Sequence, residues 1–342
     1  MKSAVYIGDR TFAIEERSES EPLRDEVRLK IAFCGICGTD MHVYHGMMDK
    51  RVTTHRVIGH ECSAIVDKIG ANVTHVSVGD HVVVRPLVPQ GDCHACSSGH
   101  EHICSNLKFL GLDSDGAFQE KWNVPATTLH KIPEGMKLAH AALVEPLAVA
   151  CHDVTRSRLK KGEDVWVIGG GPIGLLIAMV CRDKGANVVI SEVHDARAQL
   201  AMSLGFDVIH PHRDDCELEI NKRTNHKGAD VIFEVSGSAD GVEAMTQCAA
   251  PRARIVMVAI HGEKRAVDLF SFFWRELELL GARVYTEVDY DNAIHLISSG
   301  KIDCDMLITD IVDLMNIQSA FDDIENAQNT IKSLIRCHPE GG

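Results

Sequence analysis

The sequence predicts an α/β protein of two domains, a β-rich one and one built on a doubly wound parallel sheet. Three observations carry this. Apolar and polar residues alternate in the first third, as in Val27, Leu29, Ile31 and Phe33 against Arg28, Lys30 and Ala32, the period of a half-buried strand. From about Lys161 the pattern changes to short apolar runs separated by helical segments. A glycine-rich turn, Gly169 to Gly174, stands at the start of that second pattern. A chain of 342 residues is long enough for both domains and a large buried core.

In order, further strands are predicted at Ala64 to Ile69, His81 to Val84 and Phe118 to Val124, punctuated by glycines such as Gly59, Gly70 and Gly79. Between Val88 and Asn106 the pattern dissolves into a loop rich in Cys, His, Ser and Gly. In the second region, Val165 to Ile168, Val188 to Ile190, Val208 to Ile209, Val231 to Val235 and Ile255 to Ala259 read as parallel strands, with helices at 174–184 and 196–204. A sixth strand is expected at Leu279 to Val284, after which the chain returns to mixed α/β and rejoins the first domain.

The net charge of −14 argues against nucleic acid or an anionic membrane as partner. The N-terminus lacks the apolar core of a signal peptide, and the longest apolar runs, such as Ile173 to Val180, are too short to span a bilayer. Twelve cysteines in such a chain read as reduced thiols and metal ligands, and the expected compartment is cytoplasmic.

Gly169, Gly171 and Gly174 fit G-x-G-x-x-G, with Pro172 and Ile173 between them, after an apolar strand and at the start of a helix. Gly169 allows a tight turn, Gly171 lets a pyrophosphate approach and Gly174 lets helix and strand pack closely. Glu192 ends the next strand, eighteen residues after Gly174, where a carboxylate accepts from ribose hydroxyls and repels a 2′-phosphate. The expected cofactor is therefore NAD. Arg197, a cofactor-binding candidate, lies close enough to qualify this preference over NADP, although its place on the following helix reads rather as surface.

Cys34 and Cys37 form a C-x-x-C open to three readings: a redox pair, half of a zinc ribbon, or one metal ligand with a bystander. The next such pair, Cys93 and Cys96, is too distant for a ribbon. His60-Glu61 in G-H-E and Glu145 in V-E-P supply an imidazole and carboxylates, which with a thiolate suit Zn(II).

In order and spacing, C-G-I-C-G-T-D-M-H, G-H-E, the cysteine loop, E-P-L-A-V and G-G-G-P-I-G resemble the zinc-dependent medium-chain dehydrogenases. The likeness is greatest to the polyol branch: sorbitol, threonine, butanediol and sugar-acid dehydrogenases. The resemblance implies a GroES-like catalytic domain over residues 1–148 and 285–342, around a Rossmann domain over 149–284. It implies a catalytic zinc on Cys37, His60 and either Glu61 or Glu145, with Cys34 a bystander and Asp40 orienting a ligand. Thr39 and His42 then relay the substrate's proton to solvent, while hydride passes to NAD. Ser236, Val258 and Ile260 flank the nicotinamide, and Phe109, Glu120, Arg283 and Tyr285 line the substrate pocket.

Cys93, Cys96 and Cys104 match three of the family's four structural-zinc cysteines, with Gln90 in the place of the first. Either Gln90 or one of Asp92, His94, His100 and His102 completes the tetrahedron or the site is vacant, and an occupied second zinc site is the expectation. The implied activity is reversible oxidation of a secondary alcohol on a small molecule, by a homodimer or homotetramer. Threonine or butanediol dehydrogenase activity is the enzymatic alternative, and a noncatalytic NAD-binding regulator the non-enzymatic one. A zinc-free quinone or enone reductase would lack the Cys37, His60 and Glu61 set.

Overall fold

A computed structural model describes residues 1–326 and 330–338. The chain divides into two compact units, one comprising Met1–Glu145 with Thr286–Gly342 and the other Pro146–Tyr285.

The contiguous unit carries a six-stranded sheet in the order Asp207–Ile209, Asn187–Ser191, Asp164–Ile168, Ala229–Glu234, Ala249–Met257, Glu278–Gly281. Every pairing is parallel. The strands have few polar residues because they are buried: Val165, Trp166, Val167, Val231, Ile232 and Phe233 are at most 1% exposed. Trp166, Ile168, Ile232 and Ile255 pack with Ile220, Val242 and Met245 from the intervening helices into one core. Helix starts follow local chemistry. Ser238 caps Ala239–Gln247, Asp215 caps Cys216–Arg223, and Pro172 opens Pro172–Asp183, where its missing N–H is not needed. The sixth strand stops at Gly281 rather than reaching Val284, which has φ +48, outside the β region.

The other unit is built on a seven-stranded sheet. Its path runs Ile308–Asp313, Lys332–Arg336, Glu26–Gly35, Glu61–Ile69, His81–Val84, Leu129–Lys131, and Lys121–Pro125 also pairs with Glu26–Gly35. The last described strand, Lys332–Arg336, thus lies beside the strand that leads into Cys37. The strand expected from Phe118 begins only at Lys121. Phe118 instead donates its N–H to Ile58 and accepts from Ala4, which ties it to two other segments. An N-terminal hairpin, Lys2–Gly8 with Thr11–Glu16, was not expected from the sequence. Asp9 and Arg10 both have positive φ, the two-residue type I′ geometry, but lack the Asn-Gly or Asp-Gly signature that announces it.

Candidate metal and nucleotide sites

Ligand atoms of Cys37, His60 and Glu61 lie within 4.8 Å of one another. The loop after Glu26–Gly35 delivers Cys37 as the N-cap of the short helix Gly38–Tyr44, where its sulfur accepts from the Thr39 N–H at 3.4 Å. Asp40, fully buried, closes a capping box by accepting from the Cys37 N–H at 2.9 Å. Its other oxygen lies 3.5 Å from Nδ1 of His60, too long for a good hydrogen bond, and both atoms are buried without a closer partner. Asp40 therefore braces one ligand through its backbone and faces the ring of another, leaving Nε2 of His60 for the cluster. Burial pushes the pKa of His60 down, but the charges of Asp40 and Cys37 outweigh it and the net shift is upward. A pocket that raises a buried imidazole's pKa in this way is one that attracts a cation. A soft sulfur, a nitrogen and an oxygen are the donor set of zinc.

Lys332 was missed in reading the sequence. It is buried and donates to both oxygens of Glu61, at 3.0 and 2.7 Å, and to the Ile36 carbonyl at 3.1 Å. Burial would lower its pKa, yet Glu61, Cys37 and Glu145 raise it above the ordinary lysine value. Gly35 faces Glu61 across the sheet, and a Cβ there would overlap the carboxylate. Glu145, the rival ligand, is buried close enough to act on Lys332 and Tyr290 but does not join the 4.8 Å cluster. The clue available in sequence was a lysine in an otherwise apolar strand, Ile331-Lys332-Ser333-Leu334-Ile335.

Thr39 and His42 lie three apart on the same helix, half-buried. The Phe109 ring stands edge-on to His60, 5.2 Å between centroids. Glu120, expected in the substrate pocket, instead accepts from the backbone N–H of Lys2 at 2.8 Å. Arg283 is exposed and Tyr285 fully buried, both in the contiguous unit. Cys34 is buried, and burial raises its thiol pKa well above the usual range, the state of an inert packing residue.

Cys93, Cys96 and Cys104 form a second cluster within 4.8 Å. The Cys93 sulfur lies 3.6 Å from that of Cys96 and accepts from the Ser105 N–H at 3.4 Å. These backbone donors bring its pKa down to about 6, whereas burial lifts Cys96 to about 11. Among the described residues no histidine or carboxylate joins the three thiols. Asp92 accepts from Asn106, the His100 and His102 rings face each other at 6.1 Å, and His94 is exposed. Gln90 is exposed and turns its amide to the Val88 carbonyl, 3.1 Å away. The loop hangs from the paired strands Leu87–Val88 and Lys108–Phe109, so it is tethered directly to the aromatic beside His60.

In the contiguous unit, Gly169 has φ +108 and turns the chain into the helix that Gly171 caps. A Cβ on Gly174 would overlap the Gly169 carbonyl oxygen. Glu192 lies against this turn, accepting from the Gly170 N–H at 2.9 Å and the His194 N–H at 2.8 Å. Arg197 is not a surface residue. It is half-buried, its Nη1 reaches within 3.9 Å of where a Cβ on Gly171 would sit, and its Nε is buried without a partner among the described residues. An unsatisfied guanidinium at a helix N-terminus suits a phosphate. Ser236 follows the strand Ala229–Glu234, and Val258 and Ile260 follow Ala249–Met257, with Ile260 77% exposed. These loops lie at the carboxyl ends of the parallel strands, where open α/β sheets bind ligands.

Residues 23–134 match the alcohol dehydrogenase GroES-like domain family, and residues 172–299 the zinc-binding dehydrogenase family. A 2-dehydro-3-deoxy-L-galactonate 5-dehydrogenase from Pseudoalteromonas atlantica is 50% identical over 340 residues, covering 99% of this chain and all of that protein. A zinc-binding dehydrogenase from Sinorhizobium meliloti bound to NADP superposes with a TM-score of 0.91 at 31% identity, over 98% of both chains. An alcohol dehydrogenase from Escherichia coli CFT073 complexed with NADH gives 0.90 at 30% identity, over 98% of this chain and 99% of that one.

Proposed function

The chain belongs to the zinc-dependent medium-chain alcohol dehydrogenases, and from that premise we propose that it oxidises a secondary hydroxyl of a 2-dehydro-3-deoxy sugar acid, reversibly, with NAD. Its membership makes it an oxidoreductase of zinc and a nicotinamide cofactor acting on polyols or sugar acids. The observation that carries the assignment of residues is the Cys37, His60, Glu61 cluster, whose sulfur, nitrogen and oxygen fit zinc. The choice of a sugar acid follows the relative at 50% identity.

When bound, zinc supplies Lewis acidity that lowers the pKa of a coordinated hydroxyl towards about 7, and the nicotinamide supplies a hydride acceptor. The chain's own residues do the rest. Asp40 fixes the position of Cys37 through its backbone N–H and faces the His60 ring, Lys332 balances the charge of Glu61, and Thr39 and His42 carry the released proton along one helix face. Whether Glu61 or Glu145 holds the metal at rest is weighed by Lys332, which competes for Glu61 through both carboxylate oxygens. Glu192, set against the glycine turn, supports NAD over NADP, and Arg197 supports a grip on the pyrophosphate. A panel of sugar acids, polyols, butanediol and threonine, followed by NADH absorbance, tests the substrate. Preferred turnover of butanediol or threonine would overturn the sugar-acid reading, and no turnover with any of them would favour a noncatalytic NAD-binding protein.

The three-thiol loop is proposed as a structural zinc site, its fourth position filled by Gln90 or solvent. Metal analysis is expected to give about two zinc ions per chain, falling to about one in Cys93→Ser/Cys96→Ser. One per chain in the unaltered protein would remove this site.

A homodimer or homotetramer is the quaternary reading. Its support is the helix Leu269–Arg275, where Leu269, Phe270, Phe273 and Trp274 are 68% to 78% exposed, beside the open edge strand Glu278–Gly281. Sedimentation is expected to give an oligomer, dissociated or weakened by Phe273→Glu/Trp274→Glu. A monomeric unaltered protein would refute it. A cytoplasmic location is supported by twelve cysteines, none of which forms a disulfide among the described residues.

A further inference from the structure

Glu234 is fully buried at the end of the strand Ala229–Glu234, and it binds two separate loops. One carboxylate oxygen accepts from the Ser236 N–H at 3.0 Å, the Ser236 hydroxyl at 2.6 Å and the Gly237 N–H at 3.0 Å. The other faces Nε2 of His261 at 3.2 Å. The backbone carbonyl of Glu234 also accepts from Val258 and Ala259 at 3.0 and 3.1 Å. One residue therefore ties the loop after its own strand to the loop after the neighbouring strand Ala249–Met257. A carboxylate only accepts, so Nε2 carries the ring's hydrogen. Nδ1 is buried and has no partner among the described residues, which leaves Glu234 as the ring's polar anchor.

The strand order reverses between Asp164–Ile168 and Ala229–Glu234, and a dinucleotide lies across such a point with one half on each side. Glu192 marks the adenosine side, directly after the strand Asn187–Ser191. The loops bound by Glu234 are on the opposite side, that of the nicotinamide. We infer that Glu234 and His261 are positioning residues for the nicotinamide half of the cofactor, joining the two loops against which that half rests. A wholly buried carboxylate is costly to keep, and its four donors are spent on loop backbone, a loop hydroxyl and one histidine rather than on core packing.

This inference rests on the nucleotide reading above, and two probes separate them. NADH carries the nicotinamide half and ADP does not. In His261→Leu, which has no donor, and His261→Asn, whose amide is too short to reach the Nε2 position, NADH binding followed by fluorescence is expected to weaken tenfold or more, while ADP binding by calorimetry stays within twofold. His261→Gln places an amide N–H near the Nε2 position and is expected to keep NADH affinity within threefold of the unaltered protein. Equal loss of NADH and ADP in the Leu and Asn variants would reduce His261 to a general structural role and overturn the inference. So would unchanged NADH binding, or failure of Gln to rescue. An unaltered protein that binds neither probe overturns the nucleotide reading itself.

Discussion

Cys37→Ser is expected to lower kcat by about three orders of magnitude or more and to remove one zinc per chain, with the far-ultraviolet dichroism unchanged. The size follows from the several kcal/mol that a Lewis-acid metal contributes to stabilising developing charge, at about 1.4 kcal/mol per factor of ten. The fold survives because a serine can still cap the helix Gly38–Tyr44, accepting from the Thr39 N–H as the sulfur does. Cys34→Ser is the control. Its thiol is buried and inert, so its replacement perturbs packing while leaving metal content at the unaltered level. Turnover and zinc content that survive in Cys37→Ser, measured by initial rates and elemental analysis, would contradict the proposed ligand set.

In the zinc-free protein Lys332→Met is expected to cost about 3–5 kcal/mol of stability, because it strands the Glu61 carboxylate in a buried site without its counter-charge. Lys332→Met/Glu61→Gln, which removes both charges, is expected to recover most of that loss, and thermal unfolding reads the difference. The pH dependence has a definite sign. The pKa of Lys332 is raised on folding by Glu61 and Cys37 against the effect of burial. Its contribution is therefore complete below the unfolded lysine value of about 10.4 and is lost as pH rises through the higher folded value. The unaltered protein should lose stability in that alkaline range more steeply than Lys332→Met. Equal slopes, or a double variant no better than the single, would show that the pair is not the source of the effect.

The parts of the fold and the candidate site visible in the sequence are those whose physics is local. Gly169, Gly171 and Gly174 answer to a turn and a close approach within six residues, and the buried parallel strands announce themselves as apolar runs. Cys37 and Asp40 belong to one capping box, so a nine-residue motif contains both a proposed ligand and its brace. What stayed hidden depends on distance along the chain. Lys332 and Glu61 are 271 residues apart, and no pattern near either one names the other. Glu234 and His261 are 27 apart but meet only because parallel strands bring their carboxyl ends together. Arg197 read as surface because helix periodicity cannot say which side of a helix faces a glycine turn. Glu120 read as a pocket residue, whereas a hairpin with no Asn-Gly or Asp-Gly signature places the Lys2 N–H where its carboxylate is used.

The strand Lys332–Arg336 sits next to the strand Glu26–Gly35 of the same sheet, although it is made long after it. At about 5–20 residues per second, the 271 residues from Glu61 to Lys332 take roughly 14 to 54 s to emerge. Throughout that interval Glu61 has no ammonium to pair with, and its sheet lacks an inner strand. The contiguous segment Pro146–Tyr285 needs nothing from the later chain to assemble its six parallel strands. On a ribosome, the order of birth and the order of completion are therefore reversed: the residues proposed to hold the metal are translated before the contiguous segment and find their final surroundings after it.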